Sequence, residues 1–426
     1  MSKLTTMQQQ QRNARWGSWQ IPLHASNGTT LGSRPLQVEQ RSSDFLCGTC
    51  VGKTLLSDGA HGERQRSAIR SWFPLLVCEN AMKWYATEAQ QDVFDFAPAD
   101  ALLAWAEGES RRMRGHCLFW DKGKFCCDWV HALDAESLRQ RIDGHLQRIL
   151  QRYRGRVRDW DVLNEILDGG FMAERLGADG PAWIFRQAAA IDPDLRLFTN
   201  EYGILDSDEK TERYYTLIQQ LLDAGAPVGG IGIQEHAAER FVPDETQAQL
   251  EAHRPERQGR GPLIPDEVWR RLDRLGSTGL PIHVGEISIA TPDRQRAAEC
   301  LDMMLSTLRA HASVELAIFW GYQANNHWLG DAAALMDDRG RPYPALGRLS
   351  QLQRQWEHRG DYHSDANGIL EFDAWRGTYA ISTLVDRPVD QPADQTLVQG
   401  HNQTAPRRSG TVTLDHSGEI REVTLS

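Results

Sequence analysis

Apolar and polar positions along this chain follow two alternating periods from about residue 45 onward. Short, nearly continuous apolar runs of the buried parallel-strand type fall at 45–51, 75–78, 113–119, 159–163, 195–199, 229–234, 282–286 and 315–320. Between them lie runs with helical spacing, among them 135–153, 181–190, 210–224, 266–275 and 293–312. Asp192-Pro193 ends one of these runs and Gly225-Ala226-Pro227 another. Eight strand–helix repeats predict an α/β chain folded as a (β/α)8 TIM barrel over residues 44–358, with its active site where the strands end.

The flanks break this pattern. Residues 1–43 are polar and rich in Gln, Arg and Ser, and predict an N-terminal extension with no chemistry of its own and one strand near 16–23. Residues 359–426 hold short alternating segments around 368–375, 377–382, 411–414 and 423–425, punctuated by Asn367-Gly368 and Ser417-Gly418. They predict a small C-terminal β appendage, better read as a packing module than as a sugar-binding one.

The candidate chemistry sits at the predicted strand ends. Trp160-Asp161-Val162-Leu163 runs apolar and then stops at Asn164-Glu165, a polar pair costly to bury without a use. Pro281-Ile282-His283-Val284-Gly285-Glu286 ends in the same way. A lone Glu at a strand end is as well explained by solvation, but the other strand ends carry clusters too. They are Glu79-Asn80 with Lys83 and Trp84, Arg114-Gly115-His116 with Trp120, Asn200-Glu201-Tyr202, Gln234-Glu235-His236, and Trp320 with Trp328. Together they describe one lined cleft. Trp faces stack on sugar rings, amides and His bond hydroxyls, and a pair of carboxylates can cleave a glycosidic bond. Trp84 is better read as core.

Composition narrows the classes. A net charge of -11 argues against a general nucleic-acid binder and reads as solubility. No apolar run reaches the roughly 18 residues that a bilayer requires, so no membrane association is expected. Seven cysteines, an odd count, exclude a complete internal disulfide set. Cys47-x-x-Cys50 has no companion ligands at zinc spacing, and Cys126-Cys127 reads as structural, so no metal or other cofactor is expected. The first residues show no apolar export segment, which predicts a cytoplasmic protein, or a secreted one if the natural start differs. Oligomeric state is not encoded legibly.

The ordered motifs Glu79-Asn80-Ala81-Met82-Lys83-Trp84, Arg114-Gly115-His116-Cys117-Leu118-Phe119-Trp120, Trp160-Asp161-Val162-Leu163-Asn164-Glu165, Asn200-Glu201-Tyr202, Gly230-Ile231-Gly232-Ile233-Gln234-Glu235-His236 and Leu280-Pro281-Ile282-His283-Val284-Gly285-Glu286, with Trp320-Gly321 and Trp328-Leu329, resemble the glycoside hydrolase family 10 xylanases. The resemblance spans about residues 45–355. It implies a (β/α)8 barrel that cleaves internal β-1,4-xylosidic bonds of xylan or xylo-oligosaccharides with retention of configuration. Glu165 then resembles the acid/base and Glu286 the nucleophile, and Asn164 would bond the 2-hydroxyl of the sugar at the cleavage point. Glu79, Asn80 and Lys83 would hold the next glycone sugar, with His116 and Trp120 lining the cleavage subsite. Gln234 and His236 would orient the nucleophile, and Trp320 and Trp328 would give the aromatic floor and wall. In such a site a charged Glu286 keeps Glu165 protonated until the glycosyl-enzyme forms.

Three departures stand out. Ser288 replaces the family's usual Asp near the nucleophile, Asp121 follows Trp120 where His is common, and the polar stretch 241–262 is long and expected to shape the aglycone side. Two other readings are a related barrel glycosidase for another β-glycan or short oligosaccharides, and a catalytically inactive glycan-binding barrel.

Overall fold

The computed structural model describes residues 16–243, 260–384, 407–414 and 423–425. Strands β1 (Trp16–Ala25) and β2 (Pro35–Ser43) come first. Then follow β3 (Leu46–Val51), β4 (Leu75–Cys78), β5 (Arg112–Arg114), β6 (Phe119–Trp120), β7 (Asp159–Asn164), β8 (Arg196–Tyr202), β9 (Gly230–Glu235), β10 (Ile282–Ile287) and β11 (Val314–Phe319). Strands β12 (Arg359–His363), β13 (Ile369–Trp375), β14 (Gly377–Leu384), β15 (Arg407–Leu414) and β16 (Val423–Leu425) end the series. The chain divides into two compact units, one of residues Phe45–Gln351 and one of Met1–Asp44 with Leu352–Ser426.

In the first unit the strands form one parallel sheet in the order β5-β4-β3-β11-β10-β9-β8-β7-β6. Its two ends are pieces of a single stretch, 112–120. The gap between them is bridged to β7 by the Gly115 N–H to the Asp159 carbonyl and the Leu118 N–H to the Asp161 carbonyl, both 2.8 Å. The sheet therefore closes, and its eight staves make the expected barrel. The third stave, expected as one strand, is interrupted where Gly115 lies against Trp160. A Cβ there would stand 2.2 Å from the indole, so only glycine lets the Trp160 ring sit under the stave.

Every residue of β7 and β10 is buried, as the near-continuous apolar runs predicted. The helix Ala135–Arg152 shows how the outer layer forms. Asp134 caps it by accepting the Ser137 N–H at 2.7 Å, and Leu138, Ile142, Leu146, Ile149 and Leu150 give it one buried face. The helix Gly59–Trp72 has a much less apolar inner stripe, built on Gly62, Gln65, Ala68 and Ile69, and is correspondingly harder to read from periodicity.

The second unit differs from the expected division of the chain. Residues before 44 do not form a separate extension: β1 pairs with β13 and β16, and β2 pairs with β12 and β14. Two sheets, β13-β1-β16 and β12-β2-β14-β15, share a core of Ile21, Leu23, Val38, Leu370, Phe372, Tyr379, Ile381 and Leu425. The cause is legible in β1 itself. Trp19, Ile21, Leu23 and Ala25 alternate with polar or half-buried positions, and such a face must be covered. The Gln-rich start, residues 1–15, and the Ser417-Gly418 turn lie outside the described residues.

Candidate active site

Barrel register brings the strand-end residues to one level. Trp120 lies beside Asn164, Asn164 beside Asn200, Asn200 beside Gly232, and Gln234 beside Glu286. Gly232 is needed at this level, since a Cβ there would lie 2.7 Å from the Asn200 side-chain oxygen and 2.4 Å from the Thr199 carbonyl.

Asn200 ties the two carboxylate strands together. Its backbone carbonyl accepts the Glu165 N–H at 2.7 Å. Its Nδ2 donates to Glu286 Oε1 at 2.7 Å and to Asn164 Oδ1 at 2.9 Å, and Asn164 Oδ1 also accepts from Gln234 Nε2 at 3.0 Å. Asn200 was part of a strand-end cluster in the sequence but was not singled out, because its partners lie 36 and 86 residues away.

Glu286 is 5% exposed. Burial pushes its carboxyl up, but the His236 hydrogen bond, at 3.1 Å from Nε2 to Oε2, and the charges of His116, His236 and Lys83 outweigh it and hold the group below the ordinary Glu range. His116 Nε2 lies 3.8 Å from Glu286 Oε1. The ring is oriented through Nδ1, 2.9 Å from Asp161 Oδ2, and by an edge contact with Trp320 at 5.0 Å. Asp161 is fully buried and also takes both terminal nitrogens of Arg114. Burial opposes its charge, yet the Arg114 and His116 partners hold its carboxyl below the usual range. Asp161 reads in sequence as an interior strand residue and Arg114 as part of a strand-end cluster; the structure shows Arg114 holding Asp161 and Asp161 holding His116.

His236 shares its other ring nitrogen with Ser288 Oγ at 3.1 Å, and Trp328 Nε1 approaches the same oxygen at 3.4 Å while its ring meets His236 edge-on at 5.0 Å. Ser288 therefore occupies the outer end of this relay with a hydroxyl in place of an anion. Trp328 is 54% exposed, whereas Trp320 is buried.

Glu165 follows β7 with φ of 60°, a left-handed conformation that non-glycine residues adopt at a cost of roughly 1–2 kcal/mol. Its carboxylate is 2.8 Å from Lys122 Nζ. The loop beyond it is clasped by two buried carboxylates. Glu201 accepts the Leu167 N–H at 2.7 Å, and Asp121 accepts the N–H groups of Gly170 at 3.1 Å and Met172 at 2.6 Å. Burial raises both, Asp121 to about 7 and Glu201 to about 7, against the lowering effect of these N–H donors. Asp121 thus has a definite place as the anchor of the Glu165 loop.

Lys83, buried, sits 4.6 Å over the Trp120 ring and 3.4 Å from Asn80 Oδ1. Trp120 in turn stacks on Phe125 at 3.5 Å. Glu79 and Asn80 line a cavity of about 410 Å³ shared with Cys50, Gln65, Tyr322 and Asn326. Burial raises the Glu79 carboxyl, an effect the Lys83 charge opposes. Trp84 is core, enclosed by Phe119, Trp129 and His145. All seven cysteines are unbridged. Of the stretch 241–262, residues 244–259 lie outside the described residues. Among the described residues no group of three or more His, Cys, Asp or Glu is arranged to hold a metal ion.

Comparison with known proteins points one way. The family model described as glycosyl hydrolase family 10 matches residues 38–351. Endo-1,4-beta-xylanase 2 of Arabidopsis thaliana is 28% identical over 361 residues, covering 83% of this chain and 31% of that protein. The anti-sigma-I factor RsgI6 of Acetivibrio thermocellus is 29% identical over 371 residues, covering 86% of this chain and 44% of the relative. The chain thus spans about a third to under a half of the length of these curated relatives. Native xylanase 10B of Thermotoga maritima superposes with a TM-score of 0.62 at 23% identity, over 73% of this chain and 95% of that one, a likeness of fold.

Proposed function

The chain belongs to glycosyl hydrolase family 10, and from that membership we propose that it cleaves internal β-1,4-xylosidic bonds of xylan or xylo-oligosaccharides by a retaining, two-carboxylate mechanism. The observation that carries this reading is the pairing of Glu165 and Glu286 through Asn200, at the ends of β7 and β10, with Glu286 held ionised. Glu286 attacks the anomeric carbon while Glu165 protonates the departing oxygen. Esterification removes the Glu286 charge, and Glu165 then takes a proton from the water that releases the sugar.

The remaining roles follow from position. His236 and Asn200 each hold one oxygen of Glu286, which fixes its attack direction. His116, oriented by Asp161, faces the same carboxylate and the sugar at the cleavage point. Asn164 spends its side-chain oxygen on Asn200 and Gln234, which leaves its amide hydrogens for the 2-hydroxyl. Lys83 and Asn80, with Glu79, serve the next glycone sugar, and Trp120, Trp320 and Trp328 give stacking faces.

The test is digestion of a panel of β-glycans with product analysis, run on the parent and on Glu286→Gln. Release of short xylo-oligosaccharides, lost by about a thousandfold or more in the variant, is the expected outcome. Products from a different β-glycan alone would move the assignment to another substrate. Xylan binding without turnover in the parent would replace it with a binding barrel.

A further inference from the structure

Lys122 is not accounted for by the reaction as described. It stands two residues past Trp120, and its side chain is 18% exposed. Its ammonium lies 2.8 Å from Glu165 Oε2, donates to the Tyr202 hydroxyl at 3.2 Å, and sits 4.5 Å over the Tyr202 ring. Three contacts from two other strand ends hold it in one place. Its neighbour Asp121 clasps Gly170 and Met172, so the dipeptide Asp121-Lys122 grips both the loop beyond Glu165 and the Glu165 carboxylate itself.

We propose that Lys122 is a positioning residue for the acid/base: an ammonium fixed against Glu165 that holds its carboxylate in place and favours its ionised form. This rests on the acid/base reading given above. An ion pair at this distance, with the Glu165 side chain 11% exposed, is little screened by solvent. Lys122 itself keeps its proton firmly. Burial works against the ammonium, but the hydrogen bond and charge of Glu165, with the Tyr202 hydroxyl, raise it above the ordinary Lys range.

Other charged or titratable groups stand around Glu165 as well. Glu201 and Cys117 interact electrostatically with Glu165, and Asp168 with Glu201. Glu286 is joined to the same network through Asn200, and Lys83 and His116 act on Glu286. Asp168 is occupied by Lys210, whose ammonium lies 4.2 Å over the Tyr202 ring. Among the described residues, Lys122 is therefore the cation paired directly with the Glu165 carboxylate. An ammonium in this place is arranged to support the carboxylate form that activates water in the second step.

The experiment compares the parent with Lys122→Met and Lys122→Arg by two readouts. The first is the pH dependence of kcat/KM on an aryl xylo-oligosaccharide. The second is titration of 13C-labelled glutamate carboxyls by NMR, with the Glu165 signal assigned by its loss in Glu165→Gln. Removal of the cation makes the Glu165 proton harder to lose. In Lys122→Met both the alkaline limb and the Glu165 titration should move up by about one pH unit or more, and in Lys122→Arg both should return toward the parent values. A Glu165 titration unchanged in a folded Lys122→Met overturns the proposal, as does a shift of the same size in Lys122→Arg. A shifted titration in a protein that turns over no glycan leaves the Lys122–Glu165 pairing intact and defeats the acid/base reading, so the two failures are distinct.

Discussion

At the scale of single residues, the site depends on which charges each carboxylate meets. Glu286 is buried, which alone would favour its neutral form, yet the bond from His236 and the neighbouring charges reverse that preference. Replacing His236 by Leu removes the largest of the lowering influences. Glu286 should then titrate higher, and the acid limb of kcat/KM should move to higher pH by about one unit, measured as a pH–rate profile. An acid limb that stays in place would show that His236 serves packing alone. The strand-end residues that line the candidate site were largely legible beforehand, because an amide or carboxylate closing an apolar strand is conspicuous. Asn200, Lys122 and the Arg114–Asp161 pair were not singled out, because their meaning lies in partners that the linear order does not reveal. Lys122 in particular reads as an ordinary loop charge until Glu165 is seen beside it.

At the scale of elements, the loop after β7 is the unit to consider. It begins in a strained backbone at Glu165 and is held by Glu201 at Leu167 and by Asp121 at Gly170 and Met172. Both carboxyls are raised to about 7, chiefly by burial. The folded chain binds these protons more tightly than the unfolded chain. The stability they lend is complete below about pH 4 and is lost as pH rises through 7, at up to about 1.4 kcal/mol per pH unit for each group. Asp121→Asn keeps an acceptor for the loop but cannot ionise. Urea unfolding between pH 5 and 8 should show the parent losing stability relative to this variant as pH rises, whereas parallel curves would count against the raised Asp121. The strands themselves were legible in the sequence because parallel barrel staves are apolar throughout. The exception, the interruption of the third stave at Gly115, depends on the Trp160 ring, which belongs to the neighbouring stave.

At the scale of the whole molecule, the barrel was readable from its eightfold repeat, and the second unit was not. Its two halves look like unrelated tails because about 300 residues separate β2 from β12. Strands β1 and β2 supply Trp19, Ile21, Leu23, Ala25, Leu36 and Val38 to a core that they share with residues from Leu370 onward. A chain lacking residues 1–44 should leave β12 to β16 without two of their neighbours. Limited proteolysis is then expected to cut within 359–425 well before the same region is cut in the parent. Equal resistance would mean that the C-terminal strands need no partner from the N-terminus. The same pairing sets an order of events during synthesis. The Trp19 indole bonds the Ala374 carbonyl across 355 positions of sequence. At bacterial or eukaryotic elongation rates, roughly 20 to 70 seconds separate their emergence from the ribosome. For that interval the apolar face of β1 waits without its mate, open to other partners until β13 is made.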